Sequence, residues 1–408
     1  MSSHTPLQDL LTKGVSQIID QEGLEKKLNS GKQLRIKFGI DPSGTILHIG
    51  HMVPILKLRE FQELGHHVII LIGDATAQVG DSSDKDAERP MLAREETRKN
   101  AEAYVSKLSK ILDISKIEIY YNSEGLDKVN FCGVGELAKH FSVAEMLDRH
   151  NFKKRFDAGI RISLQEFLYP IMQGYDSVVL KADVEIGGND QYFNLLAGRT
   201  LQEAFGQDKQ SVMTFDLLIG PDGKKMSKTS PNVIPIDMEP RAMFAKLMEM
   251  NDDLILNYAT LATRLSMNEV NVLNNRLQSG EDPRAVKRDV TMAIMSIYHS
   301  AETIQEAQSY YDATIQGGVL PEITDLARVE IAEQSIGLLD LVRRANFFTK
   351  SSECRDAITG GSIKIDGEVH SDMSEMITIP KEGFILQSGK KKFVGVISLG
   401  NFKSSNYE

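Results

Sequence analysis

Apolar and polar positions along this chain follow two different periods, and the switches between them divide it. From residue 7 to 28 apolar side chains recur with helical spacing, which predicts an amphipathic opening helix. Residues 34–40 and 117–121 read as strands, and 50–64 and 94–112 as helices. The run 68–72 is wholly apolar and closed by Gly73 and Asp74, the pattern of a parallel strand buried on both faces. Further strands are predicted at 178–181 and 215–219, with the helical material of 131–172 inserted before them. Strands alternating with helices of this length imply an α/β fold built on a parallel sheet.

From Pro240 the pattern changes. Residues 241–316 are rich in Ala, Met, Leu and Glu and nearly free of strand signals, which predicts an all-helical unit. A third change follows Gly317, Gly318 and Pro321. Two short helices, 338–345 and 352–358, lead into a hairpin at 363–369 with Asp366 and Gly367 at its tip, and 391–398 reads as a last strand. There is no internal repeat and no low-complexity tract.

Composition narrows the class. The chain has 408 residues, enough for two or three domains, and is 41% hydrophobic, which excludes wholesale disorder. Its two cysteines, Cys132 and Cys354, are too few for a disulfide framework or a four-thiolate zinc site, so no structural metal is expected. No apolar run approaches the length of a spanning helix and the first ten residues are polar, so a cytoplasmic protein without membrane attachment is expected. The net charge of −10 argues against a nucleic-acid partner only on average. Residues 383–407 contain no acid, while Lys390, Lys391, Lys392 and Lys403 are there. Phosphates respond to local charge.

Two motifs carry chemistry. A strand ending at Ile40 runs through Pro42 and Gly44 into His48, Ile49, Gly50 and His51, which open a helix. Unpaired amides and the positive dipole end at such a place suit a phosphate, and Gly50 lets a nucleotide approach the backbone. Two imidazoles three residues apart can donate to phosphate oxygens as negative charge grows. The second motif, Lys224-Lys225-Met226-Ser227-Lys228, lies in a polar loop between Gly223 and Pro231. Its lysines can close over a triphosphate and stabilise developing charge.

The pair of motifs resembles the HIGH and KMSK signatures of class I aminoacyl-tRNA synthetases. Over nearly its whole length the chain resembles a bacterial-type tyrosyl-tRNA synthetase, on Tyr169–Asp176 (YPIMQGYD), residues 186–194 (IGGNDQYFN) and residues 73–89 (GDATAQVGDSSDKDAER). The resemblance implies a Rossmann-like catalytic domain at 1–232 with a dimer-contact insertion at 125–172, a helical anticodon-side domain at 233–332, and an S4-like RNA-binding domain at 333–408. It implies ATP as substrate with Mg2+ on the nucleotide, L-tyrosine and tRNA(Tyr) as partners, and a homodimer. Tyr169, Gln173 and Asp81 would surround the substrate ammonium, and Gln191, Gly39 and Asp176 would also line the tyrosine pocket. A buried carboxylate at Asp176 accepts from a phenolic hydroxyl, and a substrate lacking that hydroxyl leaves it unpaired at a cost.

By the same match Asp41, Ser43, Gly50, Gly188, Asp190 and Lys228 would meet ATP. Lys85 and Arg89 would meet its pyrophosphate side, and His48, His51, Lys225 and Lys228 would stabilise charge. Lys37 stands where many members have tyrosine; an ammonium there can pair with Asp176 and still donate to the phenol. Arg343, Arg344, Lys350, Arg355 and Lys364 are the phosphate-contact candidates of the last domain, and the basic stretch 149–155 is a further candidate for the tRNA acceptor stem. Two rival readings remain open at this stage: a tryptophanyl-tRNA synthetase, which normally lacks both an S4-type tail and an aspartate at the ring's far end, and a synthetase-derived RNA-binding or biosynthetic paralogue.

Overall fold

The computed structural model describes residues 5–42, 44, 46–81, 92–226, 231–316, 319–348, 350–389 and 392–399. Its contacts group the chain into two compact units, Met1–Ile304 and Gln305–Glu408.

The first unit is built on a six-stranded sheet. Its strands are β1 (Val15–Ile19), β2 (Arg35–Ile40), β3 (His67–Ile72), β4 (Ile117–Tyr121), β5 (Val184–Gly188) and β6 (Ser211–Phe215), in the spatial order β1-β6-β5-β2-β3-β4. All neighbours are parallel except β1, which runs antiparallel to β6 along one edge. The chain builds outward from β2 through β3 to β4, then crosses to the other side of β2 for β5 and β6. That reversal leaves a crevice at the carboxyl ends of β2 and β5, the place where open α/β sheets bind ligands. Ile36, Val68, Ile70, Ile72, Val184 and Val212 are fully buried in the core.

Three predicted elements are corrected. The opening 7–28 is not one helix: helices Pro6–Thr12 and Gln21–Asn29 flank β1. Gly14, at φ +66°, breaks the helical path, and the apolar residues after it pair with β6. The run 178–181 is not a strand but the end of the helix Leu164–Leu180, stopped by Lys181 in the left-handed region at φ 48°. Short apolar runs do not distinguish a buried helix face from a buried strand. The strand lies a little further on, at β5. Likewise β6 ends at Phe215, where the prediction began.

The helix Leu164–Leu180 starts with a capping box in which Ser163 and Glu166 satisfy each other's backbone amides. It lies against the helix Tyr192–Ala204 at Gly174, where a Cβ would stand 2.8 Å from the Ala197 carbonyl oxygen. Helices follow through 240–304, including Met267–Gln278 and Pro283–Met295.

The second unit carries a five-stranded sheet. It is made of β7 (Arg328–Ile331), β9 (Ile363–Ile365), β10 (Glu368–Val369), β12 (Phe384–Ser388) and β13 (Lys392–Ser398), in the order β10-β9-β12-β13-β7. A separate pair joins β8 (Ser335–Gly337) to β11 (Met376–Thr378). The predicted hairpin is β9-β10, and Asp366 (φ 46°) and Gly367 (φ 91°) at its tip both have the positive φ of a two-residue turn. Helices Leu338–Arg344 and Ser351–Thr359 pack Leu341, Val342 and Ile358 into a core with Leu386 and Val396. No helix of the described residues is long and apolar enough to cross a membrane.

Candidate active site

A cavity of about 1000 Å³ opens at the crevice between the ends of β2 and β5. Its wall includes Lys37, Gly39, Asp41, His48, Gly50, His51, Asp81, Tyr169, Gln173, Asp176, Gly188, Asp190, Gln191 and Lys225. These side chains come from segments far apart in the sequence, and the strand reversal brings them together. Ser43, Lys85, Arg89 and Lys228 lie outside the described residues.

The two signature segments meet at the rim. Ile49 donates its backbone N–H to the Ile234 carbonyl at 3.0 Å and Ile236 donates to Leu47 at 3.0 Å, so the chain just after the lysine loop pins the histidine segment as an added strand would. A Cβ on Gly50 would stand 3.0 Å from Met226 Cε and 3.1 Å from His48 Nδ1. A side chain there would require the end of Met226 or the His48 ring to give by a few tenths of an ångström. The lysine loop is braced at its base, where Asn232 donates to Asp222 Oδ1 at 2.8 Å and to the Lys224 carbonyl at 3.2 Å. Asn251 also donates its amide to the Pro221 carbonyl at 2.9 Å, tying the helical segment to the loop.

His48 and His51 stack with ring centroids 3.7 Å apart, tilted by 36°. His51 Nδ1 accepts the His48 backbone N–H at 3.2 Å. An accepting Nδ1 in a neutral imidazole places the proton on Nε2, which makes that atom the donor.

Deeper in the cavity a hydrogen-bond chain runs across its wall. The Tyr169 hydroxyl donates to Asp41 Oδ2 at 2.8 Å, and Thr76 donates to Asp41 Oδ1 at 2.9 Å. Asn122 Nδ2 donates to Thr76 Oγ1 at 3.0 Å and to Asp176 Oδ2 at 3.2 Å. Asp176 is buried, and burial pushes its carboxyl up to about 8, against the opposing pull of Lys37 and of the Asn122 hydrogen bond. On the opposite side Gln191 donates to Asp81 Oδ2 at 2.7 Å and accepts from Asn194 at 3.0 Å.

Lys37 is corrected. Its ammonium does not pair with Asp176; it binds Glu185 Oε1 at 2.9 Å, the Gln173 carbonyl at 2.9 Å and Ser177 Oγ at 2.8 Å. Those three acceptors match its three N–H donors and leave none for a phenol. Glu185 is the residue that sequence reading missed. It is the register partner of Lys37 on the neighbouring parallel strand, and both are fully or almost fully buried. The available signal was a charge inside each of two strands, Lys37 in RIKFGI and Glu185 in VEIGG. Asn122 and Thr76 left no comparable signal.

Within the basic stretch 149–155, Lys153 and Lys154 are exposed, and only Arg155 departs from the expectation of surface charge. Arg155 is buried and its guanidinium grips Glu166 at 2.5 and 3.0 Å, so it offers no surface charge. Arg149 sits over the rings of Phe152 (4.9 Å) and Phe193 (4.8 Å). In the second unit Arg343, Arg344, Lys350 and Arg355 are exposed and Lys364 is half-buried. Arg343 pairs with Asp340, and Arg344 binds both oxygens of Glu333 at 2.9 and 2.7 Å.

Comparison with known proteins agrees with this architecture. Residues 29–316 match the family model of tRNA synthetases class I (W and Y). The chain is 41% identical over 378 residues to a tyrosine–tRNA ligase of Ralstonia nicotianae, covering 92% of this chain and 95% of that one. It is 42% identical over 390 residues to a tyrosine–tRNA ligase of Moorella thermoacetica, covering 94% of each. Among solved structures, a C-terminally truncated mitochondrial tyrosyl-tRNA synthetase of Aspergillus nidulans superposes with a TM-score of 0.63 at 21% identity, over 75% of this chain and 93% of that one. The tyrosyl-tRNA synthetase of Archaeoglobus fulgidus, solved with L-tyrosine, gives 0.60 at 21% identity, over 74% and 99%. These two likenesses concern the fold. With the signature segments joined at the mouth of one cavity and relatives this similar along nearly their full length, the chain belongs to the tyrosine–tRNA ligase family of class I tRNA synthetases.

Proposed function

We propose that this chain activates L-tyrosine with ATP, forming tyrosyl-adenylate and pyrophosphate, and passes the tyrosyl group to the 3′ end of tRNA(Tyr). The observation that carries this reading is the single cavity on which both signature segments and a buried terminal carboxylate, Asp176, converge. The tyrosine carboxylate attacks the α-phosphate of ATP, which enters as its magnesium complex. A ribose hydroxyl of the tRNA then attacks the adenylate carbonyl.

Catalysis on this reading is positioning and electrostatics, with no covalent nucleophile. His48 and His51 donate to phosphate oxygens, with Gly50 leaving room for the nucleotide. Lys225 and Lys228 close over the triphosphate, and Lys85 and Arg89 attend its pyrophosphate side. Asp41, Ser43, Gly188 and Asp190 hold the rest of ATP. Tyr169, Gln173 and Asp81 take the substrate ammonium, Gly39 and Gln191 flank the amino acid, and Asp176 accepts from the phenol. The cavity-wall positions of the described members support these roles.

The three-part division at 1–232, 233–332 and 333–408 belongs to the same reading, with tRNA phosphates met by Arg343, Arg344, Lys350, Arg355 and Lys364. A homodimer through the insertion at 125–172 is supported by the apolar side chains exposed there: Phe131 at 93%, Leu164 at 81%, Val143 at 66% and Phe156 at 62%. A cytoplasmic location goes with the RNA substrate.

The test is exchange of labelled pyrophosphate into ATP. Tyrosine supports exchange, and tryptophan and phenylalanine support it weakly or not at all. Folded protein that shows no exchange at saturating tyrosine refutes the reading, and faster exchange with tryptophan transfers it to the sister specificity.

A further inference from the structure

The Lys37–Glu185 pair grips one residue at two points. Lys37 holds the main-chain carbonyl of Gln173 at 2.9 Å, and Glu185 Oε1 accepts the Gln173 side-chain Nε2 at 3.1 Å. The Glu185 carboxylate is otherwise saturated. Oε1 also takes Lys37, and Oε2 takes Ser177 Oγ at 3.0 Å and Gln210 Nε2 at 2.5 Å. A carboxylate only accepts, so the end of the Gln173 amide that faces it must be the nitrogen. The oxygen end is then fixed too, and no donor among the described residues reaches it, while Gln173 lines the cavity. An amide with its oxygen toward a site attracts a cation; turned over, it presents two N–H groups and repels one.

We infer that Glu185, neutralised and held in register by Lys37, is a positioning residue that sets the Gln173 amide with its oxygen toward the substrate ammonium, and so selects amino acids over their deaminated analogues. The inference rests on the reading of the cavity as an amino-acid site. It assigns Lys37 to the support of the pocket instead of to the substrate phenol, and gives a function to a buried ion pair, a feature that by itself is weak evidence of added stability.

The experiment compares tyrosine with 3-(4-hydroxyphenyl)propionate, which keeps the phenol and carboxylate and lacks the ammonium. Tyrosine is followed by its KM in pyrophosphate exchange, and the analogue by its inhibition constant. E185Q places at position 185 an amide that donates as well as accepts, and so frees Gln173 to turn. The tyrosine KM is expected to rise about tenfold, as for loss of a hydrogen bond to a charged group, with the analogue changed less than about twofold. The kcat and the KM for ATP should stay near wild type. Because Glu185 acts through Gln173, adding E185Q to Q173A should give little further loss.

E185Q leaves a buried lysine short of its charge partner, so the double variant K37M/E185M, which buries no charge, is measured beside it; the same loss of preference is expected there. Equal weakening of tyrosine and analogue in either variant, or additive losses of E185Q and Q173A, overturns the inference. Wild-type protein that binds neither compound refutes the amino-acid site itself and the inference with it, a result distinct from binding without preference.

Discussion

Two glutamate-centred ion pairs, one in each compact unit, use the same chemistry to opposite ends. Glu185 and Lys37 meet at 2.9 Å with side chains 1% and 0% exposed; Glu333 and Arg344 meet at 2.7 Å with side chains 47% and 45% exposed. The exposed pair is the shorter, and Arg344 holds the Glu333 carboxyl down to about 2. Yet water and salt surround it, and its partners can be exchanged. An arginine that releases a carboxylate can take a phosphate. The buried pair has no such freedom, because neither charge has water to turn to and every donor and acceptor is already assigned. Distance therefore says little about what an ion pair does. Burial decides whether it is a fixed part of a binding site or a surface open to a partner.

The largest expected effect breaks the buried pair from one side. Glu185→Leu strands the Lys37 ammonium and should cost about 3–5 kcal/mol of unfolding free energy in urea titrations. Its counterpart Glu333→Gln should leave the urea midpoint nearly unchanged.

Next in size is the other buried carboxylate. Asp176→Asn should reduce the preference for tyrosine over phenylalanine in exchange assays by about 10- to 100-fold. It should also change the pH profile of stability. The folded-state Asp176 titrates near 8 against an unfolded value of 3.8, so the folded protein holds the extra proton between those limits. Its burial is then a growing liability: wild-type stability falls as pH rises from about 4 to about 8 and levels off above, where both states are ionised. The Tm advantage of Asp176→Asn over wild type should widen from pH 5 to pH 8. A constant difference across that range would show that Asp176 is already ionised in the fold.

Smaller effects test the exposed side. Arg355→Ala together with Lys364→Ala should weaken tRNA binding and reduce the salt dependence of log Kd by about one unit for each phosphate no longer neutralised, with tyrosine-dependent exchange unchanged. Smallest of all, Glu333→Gln frees Arg344 and should tighten tRNA binding by about two- to fivefold at low salt. Weaker binding would mean that the pair orients Arg344 instead of competing for it.

The parts of the site that were legible in the sequence were contiguous ones. His48 to His51 and Lys224 to Lys228 each carry a charge pattern within one turn or loop, and the Asp366-Gly367 tip needs two positive φ angles that those residue types accept. Asp176 became legible through resemblance, because a lone aspartate near a helix end carries no local mark. Lys37 was visible as a charge inside a strand, but its partner was not, since Glu185 becomes its neighbour only when β5 pairs with β2. Arg155 looked like surface charge because its answer, Glu166, belongs to the next helix.

By itself, then, the sequence determined the α/β plan, the two signature segments and the change to a basic, acid-free tail, all properties of local period and composition. The tertiary structure decided which charges are partners. It pinned the histidine segment to the chain after the lysine loop, enclosed Asp176, committed all three donors of Lys37 and turned the Gln173 amide. The reason is physical: a hydrogen bond in a buried site depends on through-space geometry within a few tenths of an ångström, and that geometry is set by strand order and helix packing across hundreds of intervening bonds.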